Sequence, residues 1–224
     1  MYIVNIKYVH RLYSGDSMKR PRRKPPERYH HGDLRRALLD AALVLCEREG
    51  PEALTLRAVA RMAGVSPNAP YNHFADKAAL LAAVNEEGLD ALAAELGAAR
   101  DGSGDAVGRL QAVGIAYVRF AVAHPLRFRL FSAAAIGDKA AHPGLGAAYA
   151  RTFGVLLDAL RACQATEAVH DGDLRELALT AWSTVHGLAT LLVEDQLRVT
   201  GFAAGEADVA AAQVVRTLFR GLHP

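Results

Sequence analysis

From Asp33 onward the apolar positions recur at spacings of three and four. Leu34, Leu38, Ala41, Ala42, Leu45 and Cys46 form one stripe, with Ala37 between, so the spacing predicts an amphipathic helix. Asp33 stands where an N-cap belongs, and Gly50 followed by Pro51 is the order in which helices stop. A shorter helix is predicted from Thr55 to about Met62, with Leu56, Val59 and Ala60 facing inward and Gly64 breaking the chain after it. Ser66 then caps a very short helix with Pro67 in its first position, and Asp76 caps a longer one from Lys77 to about Ala99. Beyond the break at Asp101-Gly102-Ser103-Gly104-Asp105, helical spacing returns over 105–123, 125–135, 144–168, 171–198 and 206–221, punctuated by Pro125, Pro143 and Gly201. Strand-like alternation and internal repeats are both missing from the pattern. It predicts an all-α fold.

Composition agrees with the pattern. About a fifth of the 224 residues are alanine and only 7% are aromatic, which favours helix over sheet. With 51% hydrophobic and 22% charged residues, the chain has the makeup of a folded domain. No run of 18 uninterrupted apolar residues predicts a membrane span, and Lys7, His10 and Arg11 interrupt any secretory signal at the start. Cys46 and Cys163 lie far apart inside apolar helical patterns, so no disulfide framework is expected and a reducing cytoplasm fits.

Charge divides the chain. Residues 1–80 carry 14 Lys and Arg against 8 Asp and Glu, whereas residues 81–224 carry 12 against 16. A basic first third on an acidic body points to a polyanionic partner at one end. The first 32 residues contain no alanine but hold Lys19, Arg20, Arg22, Arg23, Lys24 and Arg28 with Pro21, Pro25 and Pro26. This stretch, residues 1–28, is expected to be a disordered basic arm, open to reading as a DNA contact or as a solubilising extension. Residues 1–17 differ in character from the rest of the chain, so Met18 is a second candidate start.

The segment TLRAVARMAGVSPNAPYNHFADK, Thr55 to Lys77, places a helix, a turn with Gly64 and a second short helix in succession. That is a helix-turn-helix layout. A small residue, Ala60, sits where two helices cross, Gly64 supplies the left-handed turn, and Val65 is an apolar plug beneath it. Val65-Ser66 followed by Tyr71-Asn72-His73-Phe74-Ala75-Asp76-Lys77 and then Ala78-Ala79-Leu80-Leu81 resembles the DNA-binding domain of the tetracycline-repressor-like (TetR) family of bacterial regulators. The resemblance runs back to Asp33, about fifty residues in all. Pro70 departs from it, because many members carry an aliphatic residue there.

The resemblance implies double-stranded DNA as partner. By position, Tyr71 and His73 resemble the family's phosphate-gripping and groove-wall residues. Thr55 offers a hydroxyl and a helix N-terminus to a phosphate, and Lys77 adds a full charge at the start of its helix. Arg57, Pro67, Asn68, Ala69 and Asn72 occupy positions that resemble base-facing ones; asparagine can pair with adenine and alanine can touch a thymine methyl. Tyr71 and Phe74 have a structural alternative as core aromatics, and Phe74 is read as one.

In the family, the remaining helices bind an effector and dimerise. Over 171–198, Leu174, Leu177, Ala178, Ala181, Val185, Leu188, Ala189 and Leu192 form one stripe, and Leu179, Ser183, His186, Thr190, Val193 and Leu197 a second. A helix apolar on two sides needs a partner beyond its own core. The 144–168 helix, with Leu145, Tyr149, Thr152, Leu156, Leu160 and Cys163, is expected beside it in a four-helix homodimer interface. Trp182, His186 and Gly187, spaced W-x-x-x-H-G, resemble a subgroup of these C-terminal domains, as do Phe120-Ala121-x-x-His124-Pro125, Phe128 and Phe131. Phe120, His124, Phe128, Phe131, Phe153, Trp182 and His186 are the candidate lining of an effector pocket, each with a packing role as its alternative.

No Gly-rich phosphate loop, G-x-S-x-G, H-E-x-x-H or C-x-x-C is present, so neither an enzyme nor a cofactor is expected. His30, His31, His124, His142, His170 and His186 lack the helical His-x-x-x-His spacing with a carboxylate that a metal site needs. The expected organisation is an arm over 1–28, a DNA-binding head over 29–80 and an effector-binding, dimerising body over 81–224. The expected function is a regulator on a palindromic operator, a repressor released by a small molecule. The alternatives are an architectural or constitutive DNA-binding dimer with no effector, and a helical partner-binding or enzyme-like scaffold with a vestigial head.

Overall fold

The computed structural model describes residues 34–102, 104–132, 136–197 and 207–222, and among them it holds eight α-helices joined by short 3-10 turns, with no strand. The basic arm, the Asp33 cap, Met18, Gly201 and His30-His31 lie outside the described residues. Helix α1 is Leu34–Glu49, α2 Leu56–Met62, α3 Lys77–Asp101, α4 Ala106–Ala123, α5 Pro125–Leu130, α6 Pro143–Ala165, α7 Leu174–Val193 and α8 Ala207–Leu222.

The starts of these helices follow from local chemistry. Asp76, Asp105 and Asp173 cap α3, α4 and α7, accepting N–H bonds from Ala79 at 2.8 Å, Gly108 at 2.7 Å and Arg175 at 2.7 Å. Pro125 and Pro143 open α5 and α6 at the first position, where a missing N–H costs nothing. Three helices differ from the spacing by three or more residues at an end. α5 stops at Leu130 rather than 135: the Phe131 carbonyl accepts from Lys139 Nζ at 2.7 Å and Tyr149 Oη at 2.6 Å. α6 stops at Ala165 rather than 168, because the chain turns through Glu167 at φ 55, with Ala168 N–H bonded to Cys163 O at 2.9 Å and Glu167 N–H to Gln164 O at 3.0 Å. α7 begins at Leu174, where Asp173 caps it, and ends at Val193.

In the head Leu38, Leu45 and Cys46 of α1 are shielded from solvent, as are Leu54, Leu56, Val59, Phe74 and Leu80. Helix α3 leaves this region and continues without a break for 25 residues into the body. There α4 is central, touching α3, α6, α7 and α8. By length and composition α4 and α7 could each cross a membrane; for α4 that hydropathy is explained by helices on several sides.

Contacts between helix ends give the directions. The Cys163 thiol donates to Ala106 O at 3.2 Å, tying the end of α6 to the start of α4, so these two run antiparallel. Arg151–Asp90 at 2.6 Å and Arg100–Asp158 at 3.7 Å make α3 and α6 parallel. Arg119–Asp208 at 2.7 Å joins the end of α4 to the start of α8. His170 N–H donates to Leu222 O at 2.9 Å, placing the approach to α7 beside the end of α8. Such exposed pairs add little stability but mark register. Burial pushes the Cys163 thiol up to about 11, so it is a packed structural group rather than a thiolate.

Candidate functional sites: an exposed turn and an internal cavity

The turn after α2 is closed twice, by Val65 N–H to Ala60 O at 3.0 Å and by Gly64 N–H to Arg61 O at 3.3 Å. Gly64 lies at φ 70 between them, the left-handed position of a Schellman end, where a Cβ is disfavoured. Ala60 is fully buried and Val65 half-buried. The expected short helix from Ser66 is instead a 3-10 turn, Ala69–Asn72. Pro70 is the cause. An α-helix opening at Pro67 would make its first hydrogen bond from the residue-70 N–H to the Ser66 carbonyl, and proline has no N–H. Tighter bonds form in its place: Ala69 N–H to Ser66 O at 3.0 Å, Tyr71 N–H to Asn68 O at 3.2 Å and His73 N–H to Pro70 O at 2.9 Å.

Pro70 is buried, and around it a group of polar side chains points outward. Arg57, Asn68, Tyr71, Asn72 and His73 are exposed, Tyr71 by 51%; Pro67 is exposed and Ala69 half-buried. Phe74 is core, with the Arg35 guanidinium 5.6 Å from its ring centre. Thr55 caps α2, its Oγ accepting from Ala58 N–H at 3.1 Å, which leaves the hydroxyl proton to donate outward. Lys77 Nζ donates to the Glu52 carbonyl at 3.2 Å, which fixes the ammonium beside the α3 N-terminus; among the described residues its other two N–H groups meet no acceptor.

The body contains a cavity of about 560 Å³, walled by Leu89, Leu92 and Leu96 of α3, by α4 at Leu110 to Tyr117, and by parts of α6, α7 and α8. Of the seven residues expected to line it, Phe131, Phe153, Trp182 and His186 do. Phe120 and Phe128 do not. They form an aromatic cluster behind the wall, Phe120 stacked on Phe131 at 6.2 Å and Phe128 at 5.1 Å from the His186 ring. His124 terminates α4 at the surface, 4.0 Å from Glu95. Sequence spacing missed Tyr117, Lys139, Tyr149 and Thr152. Tyr149 and Thr152 belong to the α6 stripe assigned to a partner subunit; that stripe faces the cavity and the core instead.

Two family models match the chain: bacterial regulatory proteins of the tetR family over residues 38–84, and the tetracyclin repressor-like C-terminal domain over residues 110–220. The chain belongs to the TetR family. Among solved structures, a protein of unknown function from Rhodococcus sp. RHA1 is 35% identical, with a TM-score of 0.73, covering 89% of this chain and all of the other. A TetR family transcription regulator from Marinobacter aquaeolei VT8 is 18% identical, with a TM-score of 0.66, covering 88% of this chain and 98% of its own. A bacterial regulatory protein in the tetR family from Rhodococcus RHA1 is 21% identical, with a TM-score of 0.64, covering 84% and 96%. No curated protein matches the sequence.

A helix-turn-helix head and a helical body make up this TetR fold. In the body of the TetR-family regulator, Tyr117 Oη lies 2.8 Å from His186 Nδ1. Burial pushes the Tyr117 phenol up to about 12, against an opposing pull from a hydrogen bond with the Trp182 side chain. Burial also lowers the His186 imidazole below its ordinary value, favouring its neutral form. Trp182 stands at the cavity wall with 39% of its surface exposed. Outside the cavity, α7 and α8 flank a second hollow of about 740 Å³ lined by Thr180, Thr184, Gly187, Leu191, Gln213 and Thr217. Leu179 of α7 and Val209 of α8 are 57% and 63% exposed.

Proposed function

We propose that this TetR-family regulator is a homodimeric repressor on a palindromic operator, released by a small molecule bound in the body. One observation carries the reading. Helix α3 begins at Lys77, next to the exposed turn, and the same unbroken helix walls the cavity at Leu89, Leu92 and Leu96. Lys77 and Leu89 are twelve residues apart, about 18 Å along the helix, so a tilt imposed at the cavity moves the head as a lever. Asn85, buried between them, holds α3 to α5 through its amide, which donates to Leu130 O at 2.9 Å.

Two heads must meet successive major grooves about 34–36 Å apart, so a few ångströms of displacement disfavour binding. The ligand acts by binding the displaced state more tightly. In this reading Thr55, Tyr71, His73 and Lys77 hold phosphates, while Arg57, Pro67, Asn68, Ala69 and Asn72 face bases. The dimer forms through the exposed apolar face of α7 and α8, with α8 taking the place that the sequence spacing gave to α6. The subgroup marked by Trp182, His186 and Gly187 is part of the same reading. A constitutive architectural dimer would need a filled body; the cavity speaks against it.

The test is binding of the full chain to the DNA flanking its own gene, by fluorescence anisotropy at two salt concentrations with a scrambled duplex as control. Two protomers per site, with sequence preference and strong salt dependence, are the expected result. A random-site selection that enriches no sequence overturns the reading.

A further inference from the structure

The cavity is not uniform along its length. The helix directions place Tyr117 on α4, Tyr149 on α6 and Leu89 on α3 at one end, and Leu110, Leu156 and Leu96 two turns further along at the other. Two turns are about 10 Å. At the first end the polar groups gather. The Phe131 carbonyl accepts from both Lys139 and Tyr149. Tyr149 is close enough to Tyr117 to raise its phenol electrostatically, and Tyr117 is bonded to His186. At the far end, Leu218, Phe219 and Leu222 of α8 complete an apolar wall in which Gln111 is the polar exception.

Among the described residues, Lys139 is the one Lys, Arg, Asp or Glu in the lining. Its ammonium is half-buried and donates to two neutral oxygens, Phe131 O at 2.7 Å and Tyr149 Oη at 3.2 Å. Among the described residues no carboxylate lies within ion-pair distance of it. Among the described residues its third N–H meets no acceptor, and the neighbouring Tyr149 hydroxyl can turn from the Phe131 carbonyl to donate to a ligand instead. A cation at one end of an otherwise apolar chamber suits an anion whose remaining bulk is apolar, because the charge pair offsets the loss of water from the head group.

We propose that the effector is an elongated amphipathic carboxylic acid, its carboxylate held by Lys139 Nζ and Tyr149 Oη and its apolar body extending toward Leu110, Leu156 and Leu222. This rests on the reading of the cavity as the effector site. Selectivity for acid over alcohol comes from Lys139; the apolar end sets only length and bulk. A charge-assisted bond of this kind is worth about 10- to 100-fold in affinity.

Trp182 is the only tryptophan in the chain and lines the cavity, so its fluorescence reports binding directly in the full-length protein. The probes are decanoate against 1-decanol and 4-phenylbutyrate against 4-phenyl-1-butanol, each below its aggregation concentration. In at least one pair the acid is expected to bind at least tenfold tighter than the alcohol. Lys139→Met should erase that ratio while leaving alcohol affinity within about twofold, and Lys139→Arg should keep it. Alcohol binding as tight as acid in both pairs, no binding of either acid, or an undiminished ratio in Lys139→Met overturns the proposal. Operator affinity measured alongside separates the two readings. An acid that binds through Lys139 without releasing DNA leaves the ligand class and its Lys139 contact standing and removes ligand-controlled release; release by a molecule that ignores Lys139 keeps ligand-controlled release and removes the carboxylic acid as effector.

Discussion

The head and the body put their chemistry in opposite places. In the head the interior is closed to solvent: Leu54, Val59 and Ala60 are each at 0% exposure, and the functional candidates Tyr71, Asn72 and His73 stand outside on a proline-stiffened turn. In the body the helices leave a void between them, and the candidates Tyr117, Lys139, Tyr149 and His186 line it. A head of this kind must hold one shape to match a groove. A body of this kind has unfilled space, hence missing dispersion contacts, and can reach a second arrangement at small cost. The division of labour between reader and sensor is thus already present in where the packing is complete.

The largest expected effect tests that difference directly. Leu54 in the head and Leu92 in the body are the same side chain at 0% and 1% exposure, but Leu92 borders the cavity. Truncating a buried leucine costs about 2–5 kcal/mol, with the spread set by the neighbours that lose contact. Leu54→Ala should fall in the upper part of that range and Leu92→Ala in the lower part, measured by urea denaturation with unchanged slope. Equal losses would mean that the body is as tightly packed around Leu92 as the head is around Leu54, and the comparison would fail.

DNA affinity should separate the regions next. Asn68→Ala or Asn72→Ala should change preference among duplexes by about 1–3 kcal/mol at the affected base pair. Tyr71→Phe and His73→Ala should weaken all duplexes alike, by about 1 kcal/mol for each phosphate bond lost. Val209→Asp on the exposed face of α8 should leave monomeric contacts intact but remove the second protomer, seen as a halved stoichiometry on the operator. If Tyr71→Phe and His73→Ala both bind like wild type, the exposed turn is not what touches DNA.

How much of this was legible in the sequence obeys the same division. The head is local: Thr55 to Lys77 are contiguous, caps and breakers mark every junction, and Gly64 was readable as left-handed because glycine stands there. Pro70 was visible too, but its consequence, a 3-10 turn in place of a helix, depends on which N–H the first hydrogen bond needs. The cavity comes from five helices and a loop. Periodicity tells that Tyr149 and Thr152 share a face without telling what that face meets, and Lys139 sits outside any periodic segment. The exposed face of α7 was readable, and its neighbour was not, because stripe patterns do not encode which helix folds back beside which.

Two helix ends turn this into a matched pair. Both α2 and α6 close with the same double bond pattern, around Gly64 at φ 70 in the head and around Glu167 at φ 55 in the body. An L-residue in this region costs about 1–2 kcal/mol. No atom lies within 4 Å of a Cβ built at Gly64, so Gly64→Ala should lose about 1 kcal/mol through backbone conformation alone. Glu167→Gly should gain up to about 1 kcal/mol, since relief at the left-handed position exceeds the added freedom of the unfolded chain. Thermal unfolding of both variants checks the pair, and the signs must be opposite.

The smallest expected effect is a slope rather than a step. Burial lowers the His186 pKa in the folded chain below its ordinary 6.5, so between the folded and unfolded values the unfolded state binds more protons. Stability then rises with pH in that window: the His186 contribution is complete above about 6.5 and is lost as pH falls through the folded value. Protonation would also put an N–H on both ring nitrogens, so that Nδ1, 2.8 Å from Tyr117 Oη, could only donate to the phenol. His186→Gln keeps a polar partner for Tyr117 but does not titrate. Urea midpoints for both proteins at pH 7.5 and pH 5.5 isolate the site, because every other group cancels in the difference. The wild type should lose more on acidification than His186→Gln does. An equal loss would place His186 in contact with water in the folded body, and the cavity would then be an open cleft rather than a sheltered chamber.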